Sequence, residues 1–382
     1  MDRPAGIYVH WPFCERKCPY CDFYTFGREH PWQRLADDYL AALLAEIRDA
    51  PRRFGWPDPP AADTIYFGGG TPSLMGAGPL GRLLAALGEV FRFSPAAEIT
   101  LEVNPTTVET AGLADLLAAG VNRLSVGCQS FNDRLLAELG RVHDAATTRR
   151  ALEHIRALGP VNLSLDLIFG APTQTTADLE ADLEAILGFE PDHVSAYNLT
   201  VHEGTPYARR QREQRLPLPP EETQAAMFET IIARLGAAGL EHYEISNWAR
   251  PGRHSRHNSK YWRPVDVFAF GVSAHGVTRG RRYEHPRDLR AYLAAPTESV
   301  AWCEPPADAR ARAGEILMLA LRRVGGTPWA EIDAWAGADL RRYYRTELER
   351  LERDGLLRWR EGRLALTRRG LLLADTVAEA FF

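Results

Sequence analysis

Three cysteines near the start of the chain are spaced so closely that one loop can present all of them to a single metal centre. Cys14, Cys18 and Cys21 follow the pattern C-x3-C-x2-C, directly after an apolar, strand-like run. Cysteine thiolates are the usual protein ligands of iron–sulfur clusters, and three of them would bind three corners of a cubane. The fourth iron would then stay open for a small ligand. The spacing therefore favours a 4Fe–4S centre on this loop.

Two other uses of these cysteines stay open at this level. A structural zinc ion would need a fourth ligand, which His10 or Asp22 could supply. A disulfide framework is disfavoured, because five cysteines are an odd number in a long chain and the close spacing suits a metal. The remaining two cysteines lie apart from the loop. We expect Cys128 to be a small core residue and Cys303 to be a partly buried free thiol.

Glycine and polar residues follow the ends of successive apolar runs. Residues 68–72 read Gly-Gly-Gly-Thr-Pro directly after such a run, and glycines let a ligand approach the backbone closely. Glu102, Gln129 and Asp166 fall at or near the ends of the next runs. A cap or a turn explains any one of them, but their matching positions favour a shared site. His275 closes a later apolar run, where it would face that site or lie in the core.

Strands and helices alternate through the first 200 residues and would position these side chains. The predicted strands are 8–11, 64–67, 98–103, 123–126, 161–167 and 193–197, and the predicted helices are 35–47, 80–90, 110–119, 145–158 and 177–187. Such alternation predicts a parallel sheet covered by helices. We therefore expect a β/α barrel or a large part of one, with its chemistry at the carboxyl ends of the strands.

The pattern changes near residue 305. Helices are predicted at 310–322, 329–335 and 340–354, followed by a hairpin at 356–366 with its turn at Glu361-Gly362, and by a closing helix at 368–380. This order resembles a winged helix. DNA binding is disfavoured, because 14 arginines face 13 acidic residues from residue 300 onward. We predict two domains, 1–300 and 301–382, the second being a structural or partner-docking lid.

Composition points to an ordinary globular protein. Of 382 residues 45% are hydrophobic and 25% are charged, and the net charge of −5 gives no general attraction to nucleic acid. No apolar run approaches the ~20 residues that span a membrane. No secretory signal is visible, and clustered free thiols suit a reducing compartment. The expected location is the cytoplasm.

Taken together, these motifs resemble the radical S-adenosylmethionine (SAM) superfamily. The resemblance rests on the three cysteines, on Tyr20 before the last of them, and on the Gly-Gly-Gly-Thr-Pro segment, and it favours a cluster over zinc. Within the superfamily, nearly the whole chain looks like the oxygen-independent coproporphyrinogen III oxidase group. That resemblance implies an α/β fold in which an incomplete (β/α)6 TIM-like barrel precedes a helical domain.

The resemblance also implies cofactors and their contacts. In that group an electron from the reduced cluster cleaves SAM to methionine and a 5′-deoxyadenosyl radical. Residues that match contacts to a first SAM are Tyr8, Tyr20, Gly69 and Glu102. Residues that match contacts to a second SAM are Gly70, Thr71, Gln129, Arg141 and Asp166.

Three departures from the oxidases point to a sister branch. The oxidases carry a further cysteine where this chain has Phe23, and they have a longer segment before the cluster loop. The third departure is an H-N-x-x-Y-W pattern formed by His257, Asn258, Tyr261 and Trp262, which resembles the signature of the HemW-type heme chaperones. Neutral imidazole is a good axial ligand for heme iron. A solvated turn histidine, or a ligand role for the nearby His254, is the alternative.

The leading functional hypothesis is a heme chaperone that delivers heme to membrane respiratory enzymes. Its cluster and SAM would control transfer or formation of a homodimer, and peripheral contact with the membrane would come through the acceptor. Cationic residues around the signature, Arg250, Arg253, Arg256 and Lys260, would pair with heme propionates. The alternatives are an oxygen-independent coproporphyrinogen III oxidase and a radical SAM methyltransferase.

Overall fold

Six parallel strands form the centre of the molecule in the computed structural model, which describes residues 3–108, 112–303 and 308–382. Each strand pairs with the next one along the chain. The strands are β1 (Ala5–Trp11), β2 (Ala61–Gly69), β3 (Arg92–Val103), β4 (Arg123–Gln129), β5 (Asn162–Phe169) and β6 (His193–Asn198). This order confirms the predicted α/β fold with a parallel sheet.

Shorter strands extend this sheet on both sides. They are β7 (Glu241–Glu244) and β8 (Asn247–Ala249) beyond β6, and β9 (Val267–Phe270), β10 (His275–Thr278), β11 (Arg281–Glu284) and β12 (Ala301–Trp302) beyond β1. Strand β9 is parallel to β1, and the other added pairs are antiparallel. Within the described residues the order ends at β7 and β12 without closing, as expected for an incomplete barrel.

Helices follow the strands. They are α1 (Ala36–Phe54), α2 (Ala77–Val90), α3 (Pro105–Val108), α4 (Leu113–Ala118), α5 (Asp133–Glu138), α6 (Ala145–Ala157), α7 (Thr176–Gly188), α8 (Pro206–Arg212), α9 (Glu221–Ala237), α10 (Arg256–Tyr261) and α11 (Leu289–Ala294). The predicted helix 110–119 lies partly outside the described residues, and its described part is α4. A capping box of Thr175 and Asp178 starts α7.

The two faces of the strands differ in polarity. Successive side chains of a strand point to opposite faces. Residues that face the helices, such as Val9 and Phe67, are fully buried in the apolar core. Alternate residues such as Tyr66, Ser125 and Ser164 face the inside of the barrel. In most β/α barrels this interior is filled with branched aliphatic side chains. The interior therefore offers polar groups to a ligand.

A buried charged cluster anchors α1 to the loop after β9. The Glu46 carboxylate, with no exposed surface, pairs with Arg53 at 3.1 Å and with His285 at 2.6 Å. It also accepts hydrogen bonds from Tyr292 Oη and from the backbone N–H of Gly271. Burial alone would raise the pKa of Glu46, but His285 and Arg53 lower it overall. Because the Glu46 carboxylate is paired and hydrogen-bonded, it can remain charged while buried. Its contacts fix α1 against the loop after β9.

The C-terminal region is helical and carries a small antiparallel sheet. Its helices are α12 (Ala309–Leu321), α13 (Trp329–Ala336), α14 (Leu340–Tyr343), α15 (Arg345–Arg353), α16 (Arg368–Leu372) and α17 (Ala374–Glu379), and its strands are β13 (Thr327–Pro328), β14 (Leu357–Arg360) and β15 (Arg363–Leu366). The helical, winged-helix-like region is thus confirmed. The hairpin turn lies at Glu361 and Gly362, where both φ angles are positive, as predicted.

Two predicted helices of this region are each broken into two. The predicted helix 340–354 is interrupted at Tyr344, and the closing helix 368–380 at Leu373. Tyr344 is fully buried, and its hydroxyl donates to the carbonyls of Arg310 and Phe381. Tertiary packing therefore overrides a continuous helical pattern at this residue.

The division into domains 1–300 and 301–382 stays a prediction. The large sheet reaches Trp302, because β12 pairs with β11. None of the described helices combines the length and the apolarity needed to cross a bilayer.

Candidate cluster and cofactor site

A cavity of about 520 Å³ opens at the carboxyl ends of the parallel strands, and the cysteine loop forms part of its wall. Most of the residues predicted from the motifs line it: Cys14, Cys18, Cys21, Tyr20, Gly69, Gly70, Thr71, Glu102, Gln129, Arg141 and Asp166. Tyr8 lies one layer deeper, stacked on Tyr66 at 6.2 Å between ring centroids. The fold therefore brings residues as distant in the chain as Cys14 and Asp166 to one cavity, as expected for a barrel mouth.

A chain of polar contacts joins two of the cysteines. Thr71 Oγ1 donates to Cys14 Sγ at 3.6 Å and accepts from Asn104 Nδ2 at 2.8 Å. Arg141 donates from Nη2 to Asn104 Oδ1 at 2.6 Å and from Nη1 to Cys18 Sγ at 3.6 Å. The sulfur atoms of Cys14 and Cys18 are thus held by Thr71 and Asn104, which follow β2 and β3, and by Arg141, which follows α5.

Three cysteine sulfurs are a donor set that an iron–sulfur cluster takes. Burial raises the pKa of the Cys14 thiol to about 12, and burial also raises that of Cys21, so a bound cation is needed to make them thiolates. Among the described residues, no three His, Cys, Asp or Glu side chains converge on one metal-ion position. A cubane needs no such convergence, because each thiolate binds a different iron. The donor set fits the group that the fold family implies.

His10, one of the two candidate zinc ligands, is engaged elsewhere. Its Nδ1 lies 3.0 Å from Tyr8 Oη, and its Nε2 lies 3.1 Å from the Tyr24 carbonyl. Burial lowers the pKa of this imidazole to about 4, so it is neutral. His10 therefore ties the end of the cysteine loop to β1, and it is not free to bind zinc.

The glycine segment has no room for side chains. Gly69 has φ of 108°, and a Cβ there would lie 2.4 Å from the His10 ring. A Cβ on Gly70 would lie 2.6 Å from the Phe13 carbonyl oxygen. Packing against the first strand, as well as access for a ligand, thus requires glycine here.

Two carboxyl groups face the cavity floor. Glu102 accepts from Tyr66 Oη at 2.7 Å and from the Gly69 N–H at 3.2 Å, and Asp166 accepts from Ser125 Oγ at 3.1 Å. Burial raises the pKa of Glu102 to about 7 and that of Asp166 to about 6. At neutral pH, a bound cation would favour their ionised forms.

Gln129 owes its position to a strained backbone. The residue has φ of 65°, in the left-handed region that non-glycine residues seldom adopt. The register of β4 against β5 also shifts between Val126 and Gln129. Such a bulge at the end of a strand redirects a side chain, here toward the cavity.

The signature segment lies away from this mouth, across the amino ends of the strands. Helix α10 begins after Ser255, and the carboxylate of Glu98, which lies opposite Thr64 of β2 on strand β3, accepts from the His257 N–H at 3.0 Å. His257 Nδ1 lies 3.0 Å from Thr64 Oγ1, and its Nε2 lies 3.1 Å from Tyr261 Oη. The imidazole is 1% exposed, so the alternative of a solvated turn histidine does not hold.

The rest of the signature is also packed. Asn258 donates its backbone N–H to Ser255 Oγ. Trp262 lies under Arg322 at 4.7 Å, and its buried indole Nε1 has no hydrogen-bond partner within the described part of the chain. Burial lowers the pKa of His257 to about 3, which keeps the imidazole neutral and suited to iron.

Three of the four cations near the signature are already paired with carboxylates, and the fourth, Arg250, donates to the Pro191 carbonyl. Lys260 and Arg256 share the Asp63 carboxylate, at 2.6 and 2.7 Å, and Arg253 lies 3.5 Å from Asp192. In this conformation they hold α10 to the barrel base. Any pairing with propionates would require these contacts to break.

The remaining residues of interest lie outside both places. Cys128 is fully buried in the core, and Cys303 is partly exposed. The side chain of His275 is 65% exposed beside Glu284, so it neither faces the cavity nor lies in the core. His254 is stacked on Tyr243 and lies 3.0 Å from Glu241.

Three features of the site were not predicted from the motifs: Tyr66 and Asn104 as cavity residues, and the contact of His10 with the cysteine loop. Asn104 follows β3 directly, so its position at a strand end was the available signal. Tyr66 lies within an apolar run. The one indication that its side chain faces the barrel interior is that Tyr66 and Thr64, two residues apart, share the same face of β2.

Comparisons with known proteins agree with this geometry. A family model described as the Radical SAM superfamily matches residues 8–186, and one described as the HemN C-terminal domain matches residues 307–373. Among solved structures, coproporphyrinogen III oxidase (HemN) from Escherichia coli, described as a radical SAM enzyme, superposes with a TM-score of 0.83 at 26% identity. That match covers 100% of this chain and 90% of the oxidase.

Full-length relatives define the family more narrowly. A Mycobacterium tuberculosis protein named heme chaperone HemW is 40% identical, over 98% of this chain and 94% of that protein. The HemW proteins of Bacillus subtilis and Escherichia coli are 35% and 32% identical, each over at least 98% of both chains. The chain therefore belongs to the radical SAM superfamily and, within it, to the HemW family.

Proposed function

We propose that this protein is a heme chaperone that carries a 4Fe–4S cluster and SAM, and that hands heme to membrane respiratory enzymes from the cytoplasm. The observation that carries the proposal is the full-length similarity to proteins named heme chaperone HemW, at up to 40% identity. The buried, neutral His257 in the H-N-x-x-Y-W pattern supports it, because neutral imidazole is the form that binds heme iron.

Cys14, Cys18 and Cys21 would hold the cluster, and the cavity beside them would hold SAM. The chemistry that the cluster would supply, once reduced by an external electron donor, is the donation of one electron to bound SAM. The chain contributes the surroundings: Arg141 orients Cys18, and the Gly69 and Gly70 backbone lines the cavity beside the cysteines. Glu102 and Asp166 would receive the cationic groups of SAM.

Heme would bind through His257, and this requires α10 to open. Both ring nitrogens of His257 are hydrogen-bonded, and the ring is almost completely buried. Iron coordination would exchange the contact with Thr64 or with Tyr261 for a metal bond. Opening would also free Lys260 and Arg256 for the propionates. A homodimer that forms around the opened segment is part of this proposal.

Hemin titration of cluster-reconstituted protein under anaerobic conditions tests the heme ligand. We expect a saturable Soret shift in the wild type and a loss of affinity of at least tenfold in His257→Ala, because the axial ligand is removed. His254→Ala is the matched control, since His254 lies three residues away and is partly exposed. Equal spectra for His257→Ala and wild type would contradict the assignment of His257.

The second candidate is a coproporphyrinogen III oxidase. The TM-score of 0.83 to that enzyme favours it. Phe23 weighs against it, because the oxidases carry a cysteine at this place. In this chain Phe23 is 64% exposed at the cavity edge and offers no ligand.

A further inference from the structure

A column of aromatic rings crosses the barrel interior between the two proposed sites. The His257 ring is stacked on Tyr66 at 5.2 Å and 29°, and Tyr66 is stacked on Tyr8 at 6.2 Å and 25°. Tyr66 projects from the middle of β2, between the base of the barrel and its mouth. The Tyr66 side chain thus contacts the proposed heme ligand, His257, directly.

The same side chain touches the cavity. Tyr66 Oη donates to Glu102 Oε1 at 2.7 Å, and the other carboxylate oxygen accepts from the Gly69 N–H at 3.2 Å. Tyr66 itself lines the cavity. One face of its ring thus supports His257, and its hydroxyl supports the carboxyl group proposed to receive SAM.

We propose that Tyr66 couples the two sites, so that SAM bound at Glu102 opposes the release of His257 and heme bound through His257 weakens SAM binding. This inference rests on the proposed function and adds a regulation to it. It assigns Tyr66 a positioning role, since the residue acts through Glu102 and His257.

The sign of the coupling follows from the hydrogen bond. A cationic ligand beside Glu102 favours the carboxylate, and an ionised acceptor makes a shorter and stronger hydrogen bond than a neutral one. The stronger bond fixes the Tyr66 ring against the imidazole. When His257 leaves to bind iron, the ring loses this support and can turn, which loosens Glu102. Linkage makes the effect equal in both directions.

The test is a hemin titration with and without saturating SAM, on cluster-reconstituted protein and without reductant. We expect SAM to weaken hemin binding by about fivefold or more in the wild type. In Tyr66→Phe the ring still packs on His257 but the hydroxyl is absent, so the SAM effect should fall below about twofold. Tyr344→Phe also removes a buried, hydrogen-bonded hydroxyl and should keep the wild-type coupling.

Wild-type hemin affinity that is independent of SAM, or coupling that survives in Tyr66→Phe, would overturn the inference. Hydrogen exchange of residues 255–262 gives a readout without heme: SAM should slow it in the wild type and in Tyr344→Phe, and not in Tyr66→Phe. If the wild type binds no hemin, the proposed function fails, and the exchange experiment still decides whether Tyr66 links the cavity to α10.

Discussion

At the scale of single residues, the site depends on buried groups whose partners come from other strands. Arg141 and Asn104 link Cys14 to Cys18 through Thr71, and Glu102 is held by Tyr66 and the Gly69 backbone. The cysteines and glycines were predictable, because their spacing alone implies a metal and a close approach. Their partners were not, because hydrogen bonds between strand ends depend on register.

The same limit applies to His257. The sequence shows a histidine among polar and cationic residues, which is the usual environment of an exposed turn. In the fold, Thr64, Glu98 and Tyr261 enclose it, and two of these come from strands about 160 to 190 positions earlier. Burial of a polar segment at the base of a barrel has no local signal.

The charge of Glu102 should make SAM binding depend on pH. Its pKa of about 7 means that it is increasingly protonated as the pH falls from 8 to 6. If SAM binds the ionised form, its affinity should fall by about tenfold over this range. Equilibrium dialysis of cluster-reconstituted protein measures this.

Glu102→Gln is the matched variant. It should bind SAM weakly at every pH and lose most of the pH dependence, leaving the part due to Asp166, whose pKa is about 6. A wild-type affinity that is constant between pH 8 and 6, or an unchanged pH dependence in Glu102→Gln, would show that SAM does not bind this carboxyl group.

At the scale of elements, α10 closes the base of the barrel, and ion pairs and hydrogen bonds to carboxylates hold it there. Asp63 pairs with both Lys260 and Arg256, and the Glu98 carboxylate accepts from the first backbone N–H groups of the helix. The parallel strands and their helices were predictable from alternating periodicity. The flanking antiparallel strands β7, β8, β10, β11 and β12 were not, because each is only two to four residues long.

Weakening the ion pairs that hold α10 to the barrel should strengthen heme binding. In Asp63→Asn the two cations lose their shared charge partner, so the opened state of α10 costs less free energy. Apparent affinity rises with the fraction of binding-competent molecules, and we expect hemin to bind roughly tenfold more tightly. Hydrogen exchange at 256–261 should become faster in the same variant.

Glu241→Gln provides the control, because Glu241 pairs with His254 beside α10 and, among the residues that the structure describes, forms no ion pair with the helix itself. It should leave hemin affinity unchanged. Faster exchange in Asp63→Asn with unchanged or weaker hemin binding would mean that opening of α10 does not limit access to His257.

At the scale of the whole molecule, one barrel has a cofactor cavity at one end and the signature segment at the other. The C-terminal region touches the second end, where Arg322 stacks on Trp262 and Glu331 pairs with Arg3 and Arg323. The fold of the oxidase superposes on the whole of this chain, with a TM-score of 0.83. Fold alone therefore does not separate a heme carrier from a porphyrinogen-oxidising enzyme.

The most direct measurement places both activities side by side. Wild-type, cluster-reconstituted protein is given SAM and reductant with coproporphyrinogen III in one anaerobic reaction, and hemin alone in another. We expect a saturable Soret shift with hemin, and no protoporphyrinogen IX from coproporphyrinogen. Formation of protoporphyrinogen that depends on SAM and reductant, with no heme bound, would contradict it.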